Sequence, residues 1–273
     1  MTETFVKRAR RATQRLSASF APGWKTRACF LHIPKCAGNS IIEALNAACP
    51  LHERASWITV PETRAAVAAQ LGGAPEDYPE DGPRAAPLFA HRATLLQHHL
   101  HHRHRVVSGH FLFDRDQFQK SADDFKWVTV VREPVARMIS HYREEARSGF
   151  VQLPFADYLA TDMAYQHATA LTRYLGGVPH LSPEGLPNAV ERATSNLEHF
   201  SLIGDLSDLQ TFMTGLERLI GRPLQVGHER PAVHPMPDIS DADHARVEEM
   251  CTADREVYAY ARGLMTAHLG SPT

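Results

Sequence analysis

Apolar and polar positions along this chain fall into short blocks whose period switches repeatedly between strand and helix. Residues 28–33 are an apolar run of strand length, and Pro34 closes it, because its ring removes a ladder donor and fixes φ. Ile41, Leu45 and Ala48 then recur at i, i+4 and i+7, the spacing of a buried helical face, behind Asn39 and Ser40, two good N-cap types. Trp57 to Leu71 reads as a strand end and a helix, opened by Pro61-Glu62-Thr63 and closed by Gly72-Gly73. Residues 72–87 hold four prolines among Gly, Glu and Asp and read as an exposed loop, a lid over an acceptor site. Leu88 to His104 reads as a helix and Arg105 to His110 as a short strand ending in Gly-His.

Phe125 to Val131 is the clearest buried strand, rich in β-branched and aromatic residues. Pro134 opens the helix after it, with Val135, Met138, Ile139 and Tyr142 as the apolar stripe. Residues 151–178 read as helical and Leu197 to Leu206 contains another core strand. A helix from Asp208 to Ile220 stops at Gly221, Gly227 to Pro237 is a loop, and Ser240-Asp241-Ala242-Asp243 resembles a capping box before the last helix. Strands alternating with helices predict an α/β fold, a parallel sheet flanked by helices on both faces, in a single domain without repeats.

Composition narrows the function classes. With 273 residues the chain can bury one sizeable core, and 43% hydrophobic with 22% charged residues is ordinary for a soluble globular protein. A net charge of -2 gives no global field, so a nucleic-acid partner is not expected. No apolar run approaches the roughly 20 residues needed to cross a bilayer, and no signal-peptide core is visible. Cys29, Cys36, Cys49 and Cys251 lack disulfide-framework or CxxC spacing, which points to free thiols and a cytoplasmic location. Abundant alanine and an Arg-weighted basic set hint at a GC-rich bacterial genome. Residues 1–24 form a basic arm, carrying Lys7, Arg8, Arg10, Arg11 and Arg15. It reads as a solvated arm or surface helix, as a peripheral contact with anionic lipid, or as a transit peptide.

The candidate chemistry starts at the turn after the first strand. A strand–turn–helix connection aims free N–H groups and a helix dipole at one spot, which suits a phosphate-like anion. Gly38 there allows close ligand approach, Lys35 adds a positive charge and Ser40 a hydroxyl. Arg132 leaves the second clear strand beside another helix N-terminus, and His110 is placed to project into the crevice at the sheet's edge. The run His91, His98, His99, His101, His102 and His104 puts His98 and His102 on one helical face, as a zinc pair can be, but brings no third ligand.

Two anion cradles suggest a ligand with phosphates at both ends of a nucleoside. The kinase-type GxxxxGK[ST] loop and the GxGxxG fingerprint are both absent. A phosphatase loop starting at Cys36 would need Arg six residues on, where Ile42 stands. The stretch His32-Ile33-Pro34-Lys35-Cys36-Ala37-Gly38-Asn39-Ser40 resembles the 5′-phosphosulfate loop of carbohydrate sulfotransferases that use 3′-phosphoadenosine 5′-phosphosulfate (PAPS). The branch concerned includes heparan sulfate 2-O-sulfotransferase and bacterial relatives. Val131-Arg132-Glu133-Pro134 through Ser140-His141-Tyr142 is similar to that family's 3′-phosphate motif. Ser108-Gly109-His110, Thr172-Arg173-Tyr174-Leu175, Leu202-Ile203-Gly204 and Asp254 with Tyr258 follow in family order, so that the resemblance runs from about residue 28 to 262.

The resemblance implies a P-loop-like sheet and sulfuryl transfer from PAPS to a hydroxyl of a carbohydrate, glycolipid or small metabolite, with no metal required. It implies that Lys35 neutralises the leaving phosphate oxygen, with Cys36, Ala37, Gly38, Asn39 and Ser40 around the 5′-phosphosulfate. Arg132 and Ser140 would grip the 3′-phosphate, Arg230 would close over the nucleotide, and His110 would be the general base. The family's 2-O-enzymes carry His-Gly-His where this chain has Ser108-Gly109-His110, which leaves Ser108 as a helper. Two other readings stay open: a nucleotide-dependent phosphotransferase with a divergent P-loop, and a nucleotide-binding module that has lost its chemistry.

Overall fold

In the computed structural model the described residues are 24–50, 53–54, 58–102, 104–225 and 239–269, with side chains up to 265. The basic arm up to residue 23 and Arg230 lie outside them. Four strands make one parallel sheet: β1 (Arg27–Leu31), β2 (Val106–Gly109), β3 (Phe125–Val131) and β4 (Leu202–Asp205), in the order β2-β1-β3-β4. β1 pairs on both sides, with Leu31 level with Gly109 of β2 and with Thr129 of β3. Every residue of β2, and all of β3 but Lys126, is buried. Successive strand residues point to opposite faces, so burial of consecutive positions requires helices on both.

The helices are α1 (Gly38–Ala48), α2 (Val60–Leu71), α3 (Ala85–His101), α4 (Arg115–Ser121), α5 (Pro134–Arg147), α6 (Phe155–Tyr158), α7 (Asp162–Ala168), α8 (Ala170–Gly176), α9 (Leu186–Leu197), α10 (Leu209–Ile220), α11 (Asp241–Met250) and α12 (Thr252–Leu269). Many boundaries follow local chemistry. Glu133 caps α5 by accepting from the N–H groups of Val135 and Ala136 at 3.1 and 2.7 Å. Ser240 caps α11 through the Asp243 N–H, and Asp208 caps α10 through the Thr211 N–H, while Gly221 ends α10 in the left-handed region at φ 73°.

The structure refines the expected elements. Residues 151–178 are mainly helical, divided into three short helices because Thr161 starts a new cap on the Ala164 N–H and Thr169 leaves helical geometry at φ −110°. The helix α9 was not anticipated, although Ala189, Val190, Ala193, Asn196 and Leu197 carry a buried helical period. The proline-rich stretch 72–87 is not a fully exposed lid. It holds a 3-10 turn at Pro75–Asp77, and Tyr78 and Glu80 go inside. The Tyr78 hydroxyl donates to the Gly72 carbonyl at 2.9 Å, tying the stretch to its own start.

One large core surrounds the sheet, with Phe30, Phe111, Trp127, Leu171, Leu197 and Ile220 among its members. A second cluster lies among α5, α6, α7 and α11. Asp254, fully buried on α12, joins α12 to the start of α8. It accepts from the N–H groups of Leu171 and Thr172 and from the Thr172 hydroxyl, each at 2.8 Å. Burial pushes this carboxyl above its ordinary value, with the nearby Arg137 opposing. Asp254→Ala strands two buried N–H donors and should lower the unfolding free energy by about 3 kcal/mol. A denaturant-unfolding midpoint equal to the parent's would show that this cap holds nothing together.

Candidate functional site

Because the sheet is parallel, β1, β2 and β3 all end at the same edge. The chain leaves β1 for β2 on one side, whereas β3 leads to β4 on the other. The crevice between the ends of β1 and β3 is therefore the point where the connections diverge, the usual ligand position in open α/β sheets. The loop of residues 32–37 follows β1, Arg132 follows β3, and His110 follows β2. These three predicted groups thus converge on one edge.

The loop after β1 has an unusual backbone. Lys35 and Ala37 take left-handed φ values of 68° and 58°, separated by Cys36. Such alternation turns successive N–H groups toward one concave side, an anion-binding shape. Ala37, not Asn39 or Ser40, is the N-cap of α1, and no side chain caps the helix. The expectation of a side-chain cap is corrected for a reason: the left-handed turn must bring the chain into the helix at Gly38. Asn39 is then exposed and Ser40 half-buried inside the first turn, whose N–H groups no side chain occupies. Gly38 is required by a neighbour within the fold. A Cβ there would lie 1.9 Å from Cδ2 of the buried His32 ring. Cys36 is fully buried, and burial pushes its thiol up to about 12, so it is no nucleophile.

Two contacts tie the second motif to this loop. Arg132 Nη1 donates to the Lys35 carbonyl at 3.2 Å, and Lys35 Nζ lies 3.9 Å from Glu144 of α5. Burial lowers the Lys35 pKa, with Glu144 opposing. Ser140 sits on α5 between Arg137 and Glu144 at i+3 and i+7, so it shares the stripe that reaches Lys35.

His110 is buried at the end of β2, with its ring centroid 4.3 Å from that of His32. Arg92 of α3, itself fully buried, donates from Nη1 to the His110 carbonyl at 3.0 Å. His110 Nδ1 is buried with no hydrogen-bond partner among the described residues. Burial lowers the His110 pKa, with Glu80 opposing, and lowers that of His32 further, helped by His110 and Lys35. Both imidazoles are therefore neutral near pH 7. Ser108 is buried in β2 two residues before His110, on the same side of the strand.

Several buried polar residues at this edge were missed in the sequence. Glu80 bonds Arg92 and the Tyr174 hydroxyl, while Asp81 lies 3.0 Å from His167 Nε2 and 2.8 Å from Arg173 Nη1. One signal was available: Arg92 falls on the apolar stripe of α3 with Leu88, Phe89, Leu96 and Leu100. Asp81, His141 and His167 bring ligand-type atoms close together. However, the two imidazoles stack at 3.7 Å and 23°, so their lone pairs lie in two nearly parallel, offset planes, a poor arrangement for meeting at one ion. His167 Nδ1 is also engaged by the Tyr158 hydroxyl at 2.6 Å. The rings of the surface pair His98 and His102 lie 4.7 Å apart and tilted by 56° near the end of α3, and among the described residues no third ligand joins them. A cavity of about 750 Å³ between the start of α4 and α9 includes none of the strand-end groups.

A family model described as the sulfotransferase family matches residues 25–260. No curated protein matches the chain.

The clash at Gly38 gives a direct test of the loop geometry. Gly38→Ala should destabilise the protein by about 1–3 kcal/mol. Adding His32→Ala should relieve part of that cost, so thermal unfolding of the four proteins in the cycle would reveal coupling. Strict additivity would mean that His32 does not occupy the space beneath Gly38.

Proposed function

The chain belongs to the sulfotransferase family, and on that premise we propose that it moves a sulfuryl group from PAPS to a hydroxyl of a carbohydrate, glycolipid or small metabolite. The observation that carries this reading is the Arg132 contact to the Lys35 carbonyl, which sets a second cationic group against the first anion cradle. A donor with a 5′-phosphosulfate and a 3′-phosphate has one anionic group for each. The left-handed turn, the uncapped N–H groups of α1, Lys35 and the Ser40 hydroxyl fit the 5′ end. Arg132 and Ser140 fit the 3′-phosphate, the group that separates PAPS from ATP. Arg230 stays assigned, from the resemblance alone, to the loop over the nucleotide.

His110 is the general base in this reading. Its buried, neutral imidazole takes the proton of the acceptor hydroxyl. The oxygen's electron pair forms the new S–O bond, while the bond from sulfur to the 5′-phosphate oxygen breaks and its electrons leave with the phosphate. Lys35 meets the charge that grows on that oxygen. No helix among the described residues is long and apolar enough to cross a membrane. All four cysteines are buried free thiols, which supports placing the enzyme in the reducing cytoplasm.

Thermal unfolding with PAP, ADP or ATP, each with and without magnesium, tests donor recognition, since a ligand selective for the folded state raises its midpoint. PAP alone should raise it, independently of magnesium; a response confined to ATP with magnesium would replace this reading with a phosphotransferase. Arg132→Ala should abolish most of the PAP shift. His110→Ala should keep the shift and lower turnover with PAPS by about 100-fold or more. Equal loss of PAP binding in both variants would overturn the division of roles. The pH profile carries a sign as well. Because the folded state lowers the His110 pKa, the acidic limb of kcat/KM should lie below the ordinary value of 6.5, with activity lost only as pH falls through it. A limb above 6.5 would show that another group titrates.

A further inference from the structure

The proline-rich stretch between α2 and α3 belongs to none of the strand-end motifs, yet it carries two adjacent carboxylates into the interior. Asp81 is engaged by His167 and Arg173. Glu80, only 6% exposed, turns the other way, toward the strand end that carries His110. One of its oxygens accepts from Arg92 Nη1, and Oε2 accepts from the Tyr174 hydroxyl at 3.2 Å. The same Arg92 nitrogen donates to the His110 carbonyl at 3.0 Å, while Arg92 Nε donates to the Thr63 hydroxyl at 3.1 Å. A single buried guanidinium thus joins Glu80, α2 and the backbone of His110.

A buried ion pair is by itself weak support for anything beyond packing. What distinguishes this one is its neighbour, an imidazole that must change charge during turnover. When His110 takes a proton a cation appears in a site closed to water. The groups that face it are Glu80 and Asp81 from the proline-rich stretch, Arg92 from α3, His32 after β1, with Lys35 beyond it, and Tyr174 from α8. Glu80, although paired with Arg92 and Tyr174, also balances that charge: its attraction for a protonated His110 exceeds the repulsion from Arg92. Although burial opposes ionisation of Glu80, Arg92 and His110 hold its carboxyl below the ordinary range, so it is an anion at neutral pH.

We propose that Glu80 is a positioning residue for His110, fixing the end of β2 through Arg92 and stabilising the imidazolium formed when the acceptor hydroxyl gives up its proton. This inference rests on His110 being the base. The O–H proton goes to the imidazole and later returns to solvent, while Glu80 exchanges no proton and stays a carboxylate throughout.

The test is Glu80→Gln in the full chain, read by NMR titration of the His110 imidazole beside the thermal midpoint, the PAP-induced shift and the kinetics with PAPS. The titration midpoint of His110 and the acidic limb of kcat/KM should both move to lower pH. Turnover should fall by about tenfold or more, with the PAP shift retained. A folded variant whose His110 titrates as in the parent overturns the proposal. Should Glu80→Gln fail to fold, Glu80→Asp decides the matter, since it keeps the charge but withdraws it from Arg92. Lower kcat with an unchanged KM for PAPS supports the role, and parental kcat overturns it. The titration does not need turnover, so transfer surviving in His110→Ala would retire the base assignment separately from the electrostatic link.

Discussion

Parallel pairing on both sides of β1 is the constraint from which the site follows. Strands that run in one direction must stop at one edge, and β1, β2 and β3 deliver Lys35, His110 and Arg132 there although about a hundred residues separate the first from the last. The register makes the convergence tight, because Leu31 stands level with both Gly109 and Thr129. The Thr129 hydroxyl donates to the Leu31 carbonyl at 2.9 Å, locking the two central strands one step before the loops begin. The convergence of these groups at this edge is a consequence of strand order and direction more than of any local sequence.

The second organising fact is how much charge lies inside the molecule. Arg92, Arg137 and Arg173 are fully buried, and a buried ion is tolerated only where partners meet it. Their partners are backbone carbonyls and the carboxylates Glu80 and Asp81: Arg173 reaches the carbonyls of Gln166, Glu80 and Pro179, and Arg137 that of His167. These contacts bind the proline-rich stretch, α5, α7 and α8 to one another. In that dry setting imidazoles are cheaper neutral than charged, which holds His32, His110 and His141 below the ordinary histidine range. The same dryness that keeps an imidazole neutral makes its protonated form costly, and at His110 the Glu80 carboxylate opposes that cost.

His32 connects the two halves of the site physically. Its ring fills the space beneath Gly38 and packs against His110, so the anion loop and the imidazole share one wall. A shift in the loop is passed on to the His110 imidazole, since close-packed interiors transmit displacement.

The sequence by itself determined most of the elements and where their ends fall. An apolar run closed by Pro34, the β-branched block of Phe125 to Val131 and the Gly221 stop are local signals with local causes, and the structure repeats β3 and α10 almost residue for residue. Lys35, His110 and Arg132 were legible for the same reason, being placed where strands run out. Only tertiary structure decided what each was next to. No spacing rule brings Glu80 to Arg92, stacks His141 on His167, or shows that Gly38 is small because of a histidine six residues earlier. Local pattern reports which face of an element is apolar. The partners of a buried charge are chosen by the whole chain's packing, and turn-rich stretches such as 72–87 look solvated until a distant arginine draws their carboxylates inside.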